Sequence, residues 1–388
     1  MTKSYIIEAK RTPIGKFGGS LSGYSAEQLG TIATKEVIKS LSIKPNQIDQ
    51  VIFGNAVQAG NGQNIARQIE INSSIPNSKT AFTVNQVCGS GMKAIHQAYS
   101  AIQLNEAQNI IAGGTESMSN APFYNRNVRF GSKFGSINLI DGLEYDGLTD
   151  AFSHKPMGVT AENVADQFNV TRQEQDEYSL NSHKKASLAT TSGYFNNEII
   201  PITSGNTTLI QDEGIRFDTN LEKLAKLKPS FIENGTVTAG NSAPINDGAS
   251  ALLVSSEESI KENHLNPIAE IIGYSEVGID PQIMGYAPYY AISNLLEKLK
   301  MTISDIDLFE INEAFAAQSI AVSRDLQIPD NKLNISGGAL ALGHPLGDSG
   351  ARIITTLINN LHRENKTYGI ASLCMGGGMG AAIAIKAV

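Results

Sequence analysis

Ile48-Asp49-Gln50-Val51 near the start of the chain is echoed by Ile306-Asp307-Leu308-Phe309 near its end. In each case a glycine-rich turn opens an amphipathic helix roughly forty residues later, and a strand ending in glycines follows: Gly113-Gly114 in the first copy, Gly376 to Gly378 in the second. Residue by residue the likeness is weak, but the order of elements repeats. Working outward, Tyr5-Ile6-Ile7, Val51-Ile52-Phe53 and Ile110-Ile111-Ala112 read as strands of the first copy. Ile268, Glu270 and Ile272, then Leu308-Phe309 and Ile370-Ala371, read as strands of the second. Met92, Ile95, Tyr99 and Ile102 share one helical face, as do Ile354, Leu357, Ile358 and Leu361. Strands alternating with helices predict α/β layers. A duplicated fold with a pseudo-twofold axis brings its equivalent turns face to face.

The stretch from Met118 to Ala243 breaks the repeat. It is polar and loop-rich near Asn125 to Gly135, and Thr171-Arg172-Gln173-Glu174 reads as a capping box opening a helix. The division expected is 1–117 with 244–266, an insertion over 118–243 lying over one half, and 267–388. The insertion is either a ligand clamp or a structural excursion with no ligand role.

A chain of 388 residues is too long for one ordinary core. Its 41% hydrophobic and 18% charged content is ordinary for a globular protein. A net charge of −8 disfavours nucleic-acid binding without excluding an anionic ligand held locally. The two cysteines, Cys88 and Cys374, form no disulfide framework and no zinc motif, so no metal is expected. The first residues lack the apolar run of a signal peptide, and no later run is long enough to cross a bilayer. A cytoplasmic location and no membrane partner are therefore expected.

Cys88 sits in Val87-Cys88-Gly89-Ser90-Gly91, just ahead of a helix, where the dipole and free N–H groups favour a thiolate. It reads as a nucleophile or as a small buried hydrophobe. His344 follows the glycine-rich run from Gly337 to Gly343 and occupies the place in the second copy that Cys88 holds in the first. A base there makes a Cys–His pair across the axis; a packed histidine is the other reading. Cys374 precedes Met375-Gly376-Gly377-Gly378, a turn whose open amides suit an oxyanion, or else a buried cysteine at a tight turn. Asn312 ends a strand before Glu313-Ala314-Phe315 and reads equally as a helix cap.

Taken together and in order, VNQVCGSGMKAI, IAGGTESMS, GTVTAGNSAPINDGA, NEAFAAQ, GGALALGHPLGDSGARI and CMGGGMG resemble the thiolases, in their acetyl-CoA acetyltransferase branch. The resemblance covers essentially the whole chain. It implies two βαβαβαββ halves stacked in a five-layered α-β-α-β-α arrangement with an inserted loop domain. It implies Cys88 as the acyl-accepting nucleophile, His344 as the base that activates it, and Cys374 as the acid/base at the substrate α-carbon. Asn312 matches the asparagine that holds a water in a first oxyanion hole shared with His344. The amides of Cys88 and Gly376 match a second hole. Arg216 resembles a coenzyme A-contacting arginine, and Ser242, Met157, Met284 and Phe315 fall at the coenzyme A and acyl pocket. Lys223, Lys226 and Lys228 either meet phosphates or form a solvated face.

The implied reaction is the reversible Claisen condensation of two acetyl-CoA to acetoacetyl-CoA and CoA, through acetyl-Cys88 and with ping-pong kinetics. Losing one preorganised oxyanion donor in such a site costs roughly 2.7–4 kcal/mol. Coenzyme A thioesters are substrates, no cofactor is needed, and a homodimer or homotetramer is implied. The alternatives are a degradative 3-ketoacyl-CoA thiolase taking longer chains and a catalytically silent acyl-CoA-binding protein. A β-ketoacyl synthase shares the duplicated fold, and the second cysteine argues against it. Two positions depart from the family pattern: Pro156 where a histidine is common, with His154 two places earlier, and Ala243 where a serine is common, with Ser242 beside it. Both bear on substrate binding.

Overall fold

The computed structural model describes residues 2–41, 43–205 and 207–388. Nine strands run through one sheet: β1 (Ser4–Arg11), β2 (Gln50–Gly54), β3 (Thr80–Val84), β4 (Asn109–Ser117), β5 (Asn246–Ser256), β6 (Ala269–Gly278), β7 (Leu308–Ile311), β8 (Tyr368–Met375) and β9 (Met379–Ala387). Their order is β7-β8-β9-β6-β1-β5-β4-β2-β3, with Gly15–Lys16 pairing on β5 as a tenth strand. The order is nearly symmetric about the β6–β1 seam, where only Tyr5↔Glu270 and Ile6↔Ala269 pair. The halves therefore join edge to edge through a short antiparallel contact.

Chemistry repeats along with topology. Asp49 accepts from the N–H groups of Gln108 and Asn109 at 2.9 and 3.0 Å. Asp307 accepts from those of Thr367 and Tyr368 at 3.0 and 2.9 Å. Each aspartate follows a single 3-10 turn and precedes a strand, β2 or β7, that runs parallel to its partner, β4 or β8. The two sequence echoes are thus the same structural device. The second half lacks a full counterpart of β3: Leu333 makes only one parallel bridge, to Phe309.

The helices longer than seven residues are α1 (Ala26–Lys39), α2 (Ile65–Asn72), α3 (Ser90–Gln103), α4 (Met157–Gln167), α5 (Arg172–Thr191), α6 (Ala287–Leu299), α7 (Ala316–Asp325) and α8 (Ser349–Arg363), among the described residues. Three apolar clusters define five layers. Leu29, Ala33 and Val37 of α1 and Ile69 of α2 pack on one face of the first half-sheet. Met92, Ile95 and Ile102 of α3 and Ile354, Leu357 and Leu361 of α8 fill the space between the half-sheets. Ile292 and Leu295 of α6 and Ala317 and Val322 of α7 cover the far side of the second. The apolar stripes read from helical spacing in α3 and α8 are the central layer.

Glycine lets those two middle helices touch. A Cβ on Gly91 of α3 would lie 2.9 Å from the backbone N of Ala351 of α8, and one on Gly350 of α8 would strike Met92 of α3. No side chain fits at either crossing, so the N-termini of α3 and α8 are held side by side.

Within the insertion, Thr171 and Glu174 form the expected capping box on α5. Val164, Ala165 and Val170 join the outer cluster with α6 and α7. Glu198 and Asp212, also in the insertion, grip the fully buried Arg11 of β1. The insertion is therefore packed into both halves rather than hung from one, which amends its expected seat. In β6 the apolar alternation slips: a register shift falls between Ile271 and Gly273, so Ile271 is buried and Ile272 is only half-buried. A bulge adds one residue and breaks the period of two.

Candidate functional site

A cavity of about 680 Å³ opens beside the N-terminus of α3. Cys88, His344 and Gly376 line it, as do Arg216, Ser242, Met157, Met284 and Phe315. Cys374 and Asn312 are fully buried behind that wall. Cys374 packs with Met157, Phe231, Met284 and Phe315. The Asn312 Nδ2 lies 3.4 and 3.5 Å from the two ring nitrogens of His344. Near-equal distances put the amide over the imidazole rather than in line with one nitrogen. Cys88, His344, Cys374, Asn312 and Gly376, with Arg216, Ser242, Met157, Met284 and Phe315, are therefore at one place, drawn from both halves and the insertion.

Three turns set the geometry. Before Cys88 the chain enters the left-handed region at Val87 (φ +51), an uncommon state for a β-branched residue. The turn before His344 needs Gly343, at φ +116 and pressed against Asn246, whose Oδ1 accepts from the His344 N–H at 2.9 Å. The turn after Cys374 uses Gly377 and Gly378, both at positive φ, which frees the preceding Gly376 amide to face the cavity. Glu116, at the end of β4, ties the first two regions together. Its carboxylate accepts from the N–H groups of Ala56 at 2.9 Å, Val57 at 3.2 Å and Gly347 at 2.8 Å, and from Asn55 Nδ2 at 2.7 Å. Burial pushes this carboxyl up to about 7, while the donors pull it down.

Burial disfavours the charged form of each of the three groups Cys88, His344 and Cys374. Burial pushes the Cys88 thiol up to about 12, against N–H donation from Gly376 and from Cys88 itself. The helix dipole was expected to favour thiolate; removal from water outweighs it. Burial, with Arg352 beyond, holds the His344 imidazole down at about 3. Cys374 is raised further, by burial and then by its neighbour Cys88. A thiol next to a neutral imidazole exchanges its proton as it attacks, without a stored ion pair.

Two cations, Lys16 and Arg216, line the cavity. Arg216 carries a family resemblance in sequence; Lys16 does not, and it reaches the cavity from a two-residue strand paired with the distant β5. Lys223 and Lys226 lie outside the wall and pair with Asp218 and Glu222 at 2.5 and 2.6 Å, so the solvated-face reading fits them. Lys228 is also outside the wall. Pro156 and Ala243, the two departures, both line the cavity; His154 does not. Behind Arg216, the buried His183 accepts the Arg216 N–H on Nδ1 at 3.1 Å. Asn246 was inside a quoted motif but its role as the seat of His344 was not legible. Among the described residues no group of three or more His, Cys, Asp or Glu is arranged to hold a metal ion, and no helix is long and apolar enough to cross a membrane.

Comparison with known proteins gives the family. Residues 4–258 match the family description "Thiolase, N-terminal domain" and residues 265–387 match "Thiolase, C-terminal domain". The chain is 46% identical to a probable acetyl-CoA acyltransferase of Staphylococcus aureus, over 100% of this chain and 99% of that protein. Among solved structures it is similar to a Bacillus anthracis acetyl-CoA acetyltransferase, with TM-score 0.97 and 42% identity over 100% of this chain and 99% of that one. It is similar to a human mitochondrial 3-ketoacyl-CoA thiolase to the same degree, with TM-score 0.97 and 43% identity over 100% and 99%. The human protein in complex with CoA matches equally well, at TM-score 0.97 and 43% identity over 100% and 98%.

Proposed function

The chain belongs to the thiolase family and is an acyltransferase; from that premise we propose that it is an acetyl-CoA C-acetyltransferase, joining two acetyl-CoA into acetoacetyl-CoA and CoA through acetyl-Cys88. The observation that carries the reading is the convergence of Cys88, His344 and Gly376 on one cavity with Cys374 and Asn312 directly behind.

The protons balance over two half-reactions. Cys88 Sγ attacks the thioester carbonyl and its proton passes to His344. The C–S bond to coenzyme A breaks, and the departing sulfur takes the Cys374 proton. The carbonyl oxygen leans on the amides of Cys88 and Gly376, which already point at the Cys88 sulfur. A second acetyl-CoA then gives an α-proton to the Cys374 thiolate, with its own carbonyl oxygen facing His344 and Asn312. The carbanion attacks acetyl-Cys88, and the departing Cys88 sulfur recovers its proton from His344. The enzyme ends as it began.

Lys16 and Arg216 suit the phosphates of coenzyme A, and the apolar wall suits its pantetheine arm. Short acyl chains are favoured because Met157, Phe231, Met284 and Phe315 crowd together against Cys374 at the reacting end. The equal likeness to a 3-ketoacyl-CoA thiolase supports the second reading, degradation of longer 3-ketoacyl-CoA. Thiolysis of a 3-ketoacyl-CoA series separates the two: kcat/KM falling steeply beyond acetoacetyl-CoA supports the first, and a flat or rising series supports the second. An intact mass without an acetyl adduct, together with no thiolysis, removes both.

A further inference from the structure

The residue before the candidate nucleophile sits in a backbone state its side chain disfavours, and two neighbouring side chains hold it there. Val87 has φ +51, although a branched Cβ crowds the left-handed region. Asn85 Oδ1 accepts the Val87 N–H at 3.0 Å, while Asn85 Nδ2 donates to Ala56 O at 3.0 Å and so anchors the amide outside the turn. Ser90 Oγ donates to Val87 O at 2.7 Å and accepts the Gln86 N–H at 2.9 Å. Ser90 is itself fully buried at the first position of α3, so its hydroxyl has no water to exchange with. Both backbone polar groups of Val87 are thus bound by side chains fixed elsewhere.

Left-handed backbone turns over the peptide plane that follows it. Here that plane carries the Cys88 N–H, which points at the Cys88 sulfur alongside the Gly376 N–H. The Val87 side chain meanwhile lines the cavity and lies against Gly376: a Cβ on that glycine would sit 3.5 Å from Val87 Cγ1. Relaxing Val87 to negative φ swings the Cys88 amide out of the cavity and withdraws the isopropyl group from Gly376. One strained residue thus sets the Cys88 N–H and packs its side chain against the turn that presents the other donor, Gly376.

We propose that Asn85 and Ser90 are positioning residues that hold Val87 in its left-handed state and thereby aim the Cys88 N–H at the thioester oxygen during acylation. This rests on Cys88 being the acyl acceptor. It differs from a capping or packing role because the cost of losing the lock depends on what residue 87 is. Asparagine enters the left-handed region far more readily than valine, with similar bulk.

The test is a pair of double-mutant cycles read by single-turnover acetylation of Cys88 with acetyl-CoA, followed by intact mass. Asn85→Ala and Ser90→Ala are each made in the parent and in the V87N background. In the parent each is expected to slow acetylation at least tenfold, with the saturation constant for acetyl-CoA within threefold. In the V87N background each slows it less than threefold relative to V87N alone. Melting temperatures identify a variant that merely fails to fold, in which case the other cycle decides. Equal losses in both backgrounds overturn the lock, and so does acetylation within twofold of the parent. No adduct on Cys88 in the unsubstituted protein overturns the acyl-acceptor reading and the lock together, whereas an adduct in the parent with unaffected variants overturns the lock alone.

Discussion

Nδ1 of His344 lies 2.5 Å from Oγ of Ser349, one turn ahead on α8. That hydroxyl also lies 2.8 Å from Pro345 O, which only accepts. A serine has one hydroxyl proton, so giving it to Pro345 leaves Oγ as the acceptor for Nδ1–H. The imidazole is then the Nδ1–H tautomer, with the Nε2 lone pair open to take a proton from the thiol. Ser349→Ala removes this control. A hydrogen bond of this kind contributes about 0.5–1.5 kcal/mol net, which predicts a fall in kcat of up to about tenfold with KM nearly unchanged. Ser349→Thr is expected to restore most of it. An unchanged kcat in Ser349→Ala, from steady-state thiolysis of acetoacetyl-CoA, contradicts the tautomer assignment.

The neutral resting pair makes a pH prediction. With the Cys88 thiol near 12, its thiolate fraction grows about tenfold per pH unit between 7 and 9, and iodoacetamide alkylation should follow without a plateau. With His344 near 3, acetylation of Cys88 should show no acid limb between pH 5 and 8. The stability sign is the depressed-base case. Between about 3 and 6.5 the unfolded chain binds a proton on this histidine that the native state does not, so stability rises with pH across that window. An alkylation plateau near pH 8, measured with peptide mapping of Cys88, contradicts the neutral pair.

Much of this site was legible because its residues sit in punctuated turns. Cys88, His344 and Gly376 stand beside glycines that announce tight backbone, and duplication places equivalent turns together. What sequence hid is different in kind. Glu116 binds four N–H donors from residues far apart in sequence, and Asn246 holds His344 from nearly a hundred positions away. Neither contact has a local pattern. Burial of Cys88 is hidden in the same way, since a helix N-terminus can be read from sequence but the depth of burial that raises its thiol cannot. Ile272 shows the same limit in the fold, because a bulge breaks the alternation from which its face would be inferred.

The α3–α8 crossing predicts a stability effect without new chemistry. A methyl on Gly91 would meet Ala351 N and Gly347 O, both at 2.9 Å, and backbone cannot step aside as a flexible side chain can. Gly91→Ala should therefore destabilise the fold by about 1–3 kcal/mol and shift Cys88 relative to His344, lowering kcat as well. Gly23→Ala is the control: nothing lies within 4 Å of its Cβ position, and its φ is not in the left-handed region. Its urea midpoint should stay at or above the parent value. Equal midpoints for the two variants would mean that the central helices have room to separate.

Arg11 is fully buried, and its guanidinium reaches Glu198 at 2.6 Å and Asp212 at 2.7 and 3.0 Å. Glu198 also accepts from Thr356 of α8 at 3.0 Å. One cation thus fastens β1, the insertion and the central helix layer. Burying such a cluster contributes little net stability compared with a well-packed apolar replacement, but removing one member strands the others. Arg11→Leu leaves two carboxylates facing a hydrocarbon and should cost about 3–5 kcal/mol in urea unfolding. Adding Asp212→Asn and Glu198→Gln removes the stranded charges and should return part of that loss. The distinguishing reading is the order of midpoints: parent highest, the triple variant between, and Arg11→Leu lowest. A single variant as stable as the parent would mean that the insertion is held by its apolar contacts alone.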